Sequence, residues 1–293
     1  MQKTVLLTGS QGFTGRYVRE ALVKDGFNVV GLVQSNAQAN DVEANLLDLA
    51  SLRKAVAQVR PHFVIHLAAI AFVGHASAED FYRVNLFGTL NLLEALHAEK
   101  APIEKILLSS SANIYGNPPV SKVAETIQPA PINHYAMSKL AMEHMARTWL
   151  DKLPIIFTRP FNYTGVGQEG NFLIPKIVDH FKRHADTIKL GNIDVEREFN
   201  DVRMVAQAYS GLLQHADAGT TFNLCSGIGY RLQDVLDYCS ELTGHNITIE
   251  VDQNLVRANE LRVLIGDPTL LNRQLPQLPS FHLKHTLTWM LGL

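Results

Sequence analysis

Tyr135 and Lys139 stand four residues apart in "HYAMSKLAMEH", residues 134–144. At that spacing two side chains are neighbours on one face of a helix, and Ala136, Met137, Leu140, Ala141, Met142 and Met145 all favour helix. A free phenol holds its proton until about pH 10, too high for efficient exchange at neutral pH. A nearby ammonium favours the phenolate and lowers that value. The pair is therefore either an ordinary helix face or a proton donor beside the charge that tunes it.

A second group could hold phosphate. Gly9, Gly12 and Gly15 are spaced three and three in "LLTGSQGFTGRYV". Glycine permits a tight turn and lets backbone N–H groups approach a phosphate closely. The third glycine lets a helix pack closely on a strand. The loop is G-x-x-G-x-x-G, directly after an apolar strand and before a helix, which is the context that dinucleotide binding requires. The end of the second strand normally carries an acid for the adenosine ribose of NAD. Val33, Gln34 and Ser35 stand there instead, so a 2'-phosphate would not be repelled, and Arg16 or Arg60 could lie near it. NADPH is the expected cofactor, with NADH possible. Asp48 in "NLLDL" could reach the adenine amino group, while Ser51 is the expected cap of the following helix.

These groups need a scaffold. Short apolar runs at 4–7, 28–33, 63–67, 105–109, 155–158 and 221–224 alternate with amphipathic stretches near 14–24, 51–58, 79–98, 134–151 and 201–215. Strands rich in Val, Ile and Leu, separated by helices, predict an α/β fold with a doubly wound parallel sheet covered on both faces. After about residue 160 the alternation breaks. "PFNYTGVGQEG" is followed by helices near 172–184 and 231–243 and a stretch with Pro268, Pro276 and Pro279. The expected division is a dinucleotide-binding domain of 1–160 plus about 201–225, and a smaller substrate lobe of about 161–200 plus 226–293.

Composition narrows the class. Hydrophobic residues at 46% suffice for a sizeable core, and a net charge of -2 offers no broad basic field for nucleic acid. Cys225 and Cys239 alone make neither a disulfide framework nor a zinc site. His180 and His184 have the spacing of a metal pair but no evident acidic or thiol partner, so they read as a solvated helix face and no metal is expected. No signal-peptide pattern precedes the first strand, and no apolar run approaches the roughly 20 residues of a membrane span. A soluble, cytoplasmic protein is expected.

The chain resembles the extended short-chain dehydrogenase/reductase family, which acts largely on nucleotide sugars. The resemblance rests on the glycine loop, "HLAA" at 66–69, "VNLFGTLNLLEAL" at 84–96, "SSSANIYG" at 109–116, "YAMSK" at 135–139, "RPFNYTGVGQ" at 159–168 and "EREFNDVRMVAQAY" at 196–209. They stand in the family's order over nearly the whole chain. The resemblance implies a Rossmann-type domain with a C-terminal α/β substrate lobe. It makes Tyr135 the acid/base, Ser111 the holder of the substrate oxygen, and Lys139 the tuning charge and ribose ligand. Gly9, Gly12, Phe13, Gly15, Asp48, Leu49, Leu67, Ala68, Ala69 and Asn85 fall around the cofactor, and Asn85 supports the lysine's helix. The helices near 79–98 and 134–151 are expected to pair in a homodimer.

The reaction is read from the residues beside the triad. The family's 4,6-dehydratases carry a carboxylate where Ala112 and Asn113 stand, and its epimerising synthases carry a cysteine there. Neither residue here transfers protons usefully. What remains is reduction of a ketone, or C4 epimerisation with tightly bound NAD. The second half looks most like the family's reductases of GDP-4-keto-6-deoxymannose, with Glu198 and Met204 departing from the usual aspartates. Asn113, Asn162, Arg197, Arg231, Arg257 and Glu260 are the candidate substrate contacts, with Phe172 and Leu173 packing near the base. Arginine forks suit phosphate oxygens. A dTDP- or CDP-sugar reductase and a non-catalytic NAD(P)-binding regulator are the other readings.

Overall fold

The structure is a computed structural model that describes residues 2–74, 77–256 and 262–293; Arg257 and Glu260 lie outside the described residues. Seven parallel strands form the central sheet. They are β1 (Thr4–Thr8), β2 (Asn28–Val33), β3 (Asp41–Glu43), β4 (Phe63–His66), β5 (Lys105–Ser109), β6 (Ile155–Pro160) and β7 (Thr221–Leu224). Their order is β7-β6-β5-β4-β1-β2-β3. The order reverses beside β1, and the crevice at such a switch point is where doubly wound sheets bind ligands. The edge strand β3 escaped the sequence reading: "DVE" is too short for a periodicity and exists through its pairing with β2.

The helices are α1 (Phe13–Lys24), α2 (Leu49–Val59), α3 (78–98, with a π-helical middle at Tyr82–Gly88), α4 (His134–Arg147), α5 (Leu173–Lys182), α6 (Val202–His215), α7 (Leu232–Thr243), α8 (Thr269–Gln274) and α9 (Leu283–Leu291). Alternate strand residues face opposite sides of a sheet. Val5 and Leu7 accordingly pack with Val18 and Leu22 of α1 and Tyr209 and Leu212 of α6. Leu6 joins Leu52 and Val56 of α2, Leu92 and Leu93 of α3, and Met142 of α4. A separate core unites α5, α7 and α9 through Ile177, Phe181, Val235 and Leu287. Leu271 and Leu275, in and just after α8, instead join the sheet's core, so this piece of the proline-rich tail does not follow the lobe to which the sequence reading gave it.

Two local expectations change. The second helix starts at Leu49, because Asp48 caps it: its carboxylate accepts from Ala50 N at 3.0 Å and Ser51 N at 3.1 Å. The Ser51 hydroxyl looks back to Asn45 N instead. His180 and His184 do not share a helix face, since α5 ends at Lys182 and His184 has φ 50. Among the described residues there is no cluster of three or more potential metal ligands, and no helix long and apolar enough to cross a membrane.

Candidate active site

The carboxyl end of β5 and the first turns of α4 bring Ser111, Tyr135 and Lys139 together. Ser111 starts a short 3-10 turn, Ala112–Tyr115, and its hydroxyl accepts from Asn113 N at 3.2 Å. Asn133 caps α4 through Ala136 N at 2.8 Å, which fixes where the helix begins and so places Tyr135 in its first turn. The hydroxyls of Tyr135 and Ser111 are hydrogen-bonded. One turn on, Lys139 donates from Nζ to Ser109 O at 2.7 Å. Ser111, Tyr135 and Lys139 are 6%, 7% and 5% exposed, so each exchanges protons in a site largely shut to bulk water.

Burial governs both ionisations. It pushes the Tyr135 phenol up to about 12, against the hydrogen bond from Ser111, which pulls it down. It lowers Lys139 to about 8, with the Glu143 carboxylate opposing. The sequence reading expected Lys139 to draw the phenol down. The fold instead keeps Tyr135 protonated, and the lysine's charge is aimed at a backbone carbonyl. His66, on β4, is also buried and is lowered to about 3, so it stays neutral between Thr8 Oγ1 (2.7 Å) and Thr89 Oγ1 (2.9 Å).

Asn85 lies in the π-helical segment and is buried. It accepts from Ile70 N at 2.9 Å and donates to Ser138 Oγ at 3.0 Å, tying the loop after β4 to α4 beside Lys139.

The glycine loop fits a dinucleotide. A Cβ on Gly15 would sit 2.0 Å from Gly9 O, and one on Gly9 would meet Ala68 N at 2.9 Å, so the loop closes on itself and on the Leu67–Ala68–Ala69 segment only with glycine. No side chain caps the N-terminus of α1, which leaves the positive end of a 12-residue helix for an anion. Within the loop the Ser10 hydroxyl is buried without a protein partner. Phe13 stacks on Tyr163 at 6.1 Å, and Tyr163 bonds Thr14 at 2.8 Å, joining the loop to the segment after β6.

The remaining candidates separate. Asp48 is an exposed helix cap, and Leu49 packs on the sheet core. Arg60 closes α2 just before β4 begins, at the amino end of the sheet, away from the end of β2; it does not serve a 2'-phosphate there. Arg16 is exposed and donates to Gly167 O at 3.1 Å. Asn113 is half-buried, two residues after Ser111 in the turn that Ser111 opens. Asn162 is exposed, and its backbone carbonyl accepts from Asn200 N at 2.9 Å. Arg197 is buried on the middle strand of a small sheet, opposite Tyr230, whereas Arg231 is exposed one register position further and faces Glu196. Strand alternation sends the two arginines to different environments. Phe172 meets Phe72 edge-on at 6.0 Å, and Leu173 packs on the core of α5, α7 and α9.

Glu198 explains itself in the fold. Its buried carboxylate accepts from Ser226 N (2.7 Å), Gly227 N (3.2 Å), Gly266 N (2.6 Å) and Asn200 Nδ2 (2.9 Å), so the longer acid pins two loops of the lobe to its own segment. Sequence reasoning missed the Arg159–Glu143 pair. The arginine on β6 donates to both carboxylate oxygens of Glu143, at 3.0 and 2.7 Å, and to Tyr115 at 2.8 Å. A signal existed: an arginine inside an apolar strand has to be paired if it is buried.

A Rossmann-type α/β fold with a glycine-rich loop opening α1 defines a class of nucleotide-binding proteins. The chain belongs to the NAD dependent epimerase/dehydratase family, whose profile matches residues 5–225. It is 34% identical over 268 residues to the GDP-6-deoxy-D-talose 4-dehydrogenase of Aggregatibacter actinomycetemcomitans, covering 91% of this chain and 89% of that one. It is 33% identical over 245 residues to the GDP-6-deoxy-D-mannose reductase of Pseudomonas aeruginosa, covering 79% and 80%. Among solved structures, a Burkholderia cenocepacia protein provisionally called an epimerase superposes with a TM-score of 0.92 at 44% identity, covering 99% of this chain and 97% of that one. The Pseudomonas aeruginosa RMD structure complexed with NADPH superposes at 0.86 with 29% identity, covering 99% and 98%.

Proposed function

We propose that this protein reduces the C4 ketone of a nucleotide-linked 4-keto-6-deoxyhexose. GDP-4-keto-6-deoxy-D-mannose is the first substrate, and GDP-6-deoxy-D-talose or its C4 epimer GDP-6-deoxy-D-mannose the product. The carrying observation is the buried, hydrogen-bonded Ser111–Tyr135 pair with Lys139 one turn on, flanked by Ala112 and Asn113 where dehydration or C3/C5 epimerisation would need an acid or a thiol. The two GDP-sugar relatives support the substrate class.

A nicotinamide dinucleotide held by the Gly9–Gly12–Gly15 loop would supply the hydride to C4. Tyr135 donates its proton to O4 as the carbonyl becomes an alcohol, and is reprotonated from solvent. Ser111 holds O4 through its hydroxyl and steadies the phenolate left behind. Lys139 contributes the positive charge that the phenolate needs in a site of low dielectric. Asn85, through Ser138, keeps its turn of α4 in place. Arg197, with Asn113 and Asn162, is assigned to the sugar nucleotide; Arg231, on the other face of its sheet, is not. The same reading makes α3 and α4 a homodimer interface, on which Phe87 and Met137 are exposed apolar residues.

The deciding assay is NADPH oxidation with GDP-4-keto-6-deoxymannose generated in situ, with NMR of the product. Turnover to either C4 epimer supports the proposal, and the coupling at C4 says which. NAD retained through purification, with interconversion of hexose nucleotides and no net NADPH use, would replace it with a 4-epimerase. NADPH is expected to be preferred over NADH by less than about tenfold. Gln34 and Ser35 carry no charge, Glu43 stands opposite Val33 on the neighbouring strand, and Arg16, an exposed guanidinium, adds at most about 1 kcal/mol.

The pH dependence follows from Lys139. It is charged below its value of about 8 and neutral above it, while Tyr135 keeps its proton throughout that range. kcat/KM for the cofactor reports groups of the free enzyme. It should be level from pH 6 to 7.5 and fall about tenfold per pH unit above about 8. A level profile to pH 10 would contradict the assigned role of the ammonium.

A further inference from the structure

Lys139 is anchored on a carbonyl that is itself held from the opposite face of the sheet. Tyr209 lies on α6, across the sheet from α4, with its ring buried. Its hydroxyl donates to Ser109 Oγ at 2.7 Å and lies 3.1 Å from Thr158 Oγ1, which donates to it. Ser109 is the last residue of β5, and its carbonyl is the acceptor for Lys139 Nζ at 2.7 Å. The next amide, Ser110 N, donates to Thr158 O at 2.7 Å.

We propose that Tyr209 is a positioning residue for Lys139: the chain Thr158–Tyr209–Ser109 fixes the strand end whose carbonyl anchors the ammonium. The inference rests on reading Lys139 as part of the proton-transfer centre. Ser109 ends β5, and its peptide keeps one last ladder bond, Ser110 N to Thr158 O; the side-chain bonds through Tyr209 add a restraint from the other face of the sheet. A phenylalanine would fill the apolar cluster of Val205, Leu212 and Leu213 equally well. The hydroxyl of Tyr209 instead carries a desolvation cost that only these two bonds offset, and a buried bond left unmade is costly. The chain therefore has one strongly preferred arrangement, and in it the Ser109 carbonyl faces α4. Removing the phenol oxygen frees the serine side chain and loosens the carbonyl's aim. The ammonium then loses part of the one bond that favours its charged form here. The other titratable groups beside Lys139 are Tyr135 and Glu143 on its own helix and His66 on β4, and Tyr135 and His66 are neutral across the relevant range.

The test uses protein labelled with 13C at lysine Cε, with the Lys139 resonance assigned by its loss in Lys139→Met. Titration of Tyr209→Phe should show the Lys139 midpoint lowered by about half a unit or more. Ser109→Ala should lower it in the same sense, and the double variant no further than either single one. Thr158→Val, at the far end of the chain, should give a smaller shift of the same sign. In turnover, Tyr209→Phe should lose about five- to tenfold in kcat with KM unchanged, as a misaimed group does. An unchanged midpoint in Tyr209→Phe overturns the proposal whatever happens to Tm, and additive shifts overturn the route through Ser109. If Tyr209→Phe fails to fold, Ser109→Ala and Thr158→Val decide on the same readout. The titration needs no substrate, so a lack of ketone reduction would count against the proposed function and leave this result standing.

Discussion

Tyr135→Phe is expected to lower kcat for ketone reduction by about a thousandfold while cofactor affinity stays within about threefold. The ring stays where it is, in edge contact with Phe81 at 5.9 Å, and the change removes one oxygen. That oxygen is the proton source, and nothing adjacent can replace it. Ser111 is a poorer acid, and Ala112 and Asn113 carry no exchangeable proton of useful pKa. Stability should hardly change. One hydrogen bond to Ser111 is lost, worth about 1 kcal/mol, and the desolvation of the phenol is relieved in exchange. The experiment is steady-state kinetics beside a thermal melt and a cofactor fluorescence titration. A rate within tenfold of the parent would remove Tyr135 from the chemistry. A loss of cofactor binding equal to the loss of rate would reassign it to the binding site.

Arg159→Met is expected to cost about 3–5 kcal/mol, a fall in Tm of roughly 6–12 °C. Glu143 is 1% exposed and receives both of its short charged hydrogen bonds from this arginine. Arg147, 3.8 Å away with 37% of its side chain exposed, is too distant and too wet to replace it. The damage comes from stranding a carboxylate, so removing the carboxylate too should repair it. Arg159→Met with Glu143→Leu should recover most of the loss, since an apolar pair of similar volume is often neutral. Melts of the two single variants and the double variant check this. A single variant within 2 °C of the parent, or a double variant no better than the single one, would show that the pair does not brace α4 against β6.

The sheet order and the site differ in how far the sequence could reach. Six of the seven strands were legible because Val-, Ile- and Leu-rich runs must be buried on both faces, and burial of that kind is a property of the local string. The edge strand β3 was not, because three residues carry no period. Helix starts were misplaced where two residues competed for one cap, as Asp48 and Ser51 did, since only the turn geometry decides which oxygen faces the free amides. The candidate triad was legible from spacing and from family resemblance. Its ionisation was not: Tyr135 rises and Lys139 falls because of what buries them, and the neighbours that do so, such as Phe81 of α3 against Tyr135 and Ser109 of β5 against Lys139, are remote in sequence.

By itself, then, the sequence determined the class of fold and picked out the candidate phosphate loop and the candidate proton-transfer residues, because each depends on residue type at short spacing. Tertiary structure decided the rest. It set which arginine is buried and which is exposed, that Glu198 ties two loops to its own segment, that Arg60 lies at the wrong end of the sheet, and that Tyr209 bonds the side chain of the residue whose carbonyl holds Lys139. Those outcomes depend on contacts between residues 28 to 100 positions apart, and only the packing of remote segments brings such residues within a hydrogen bond of one another.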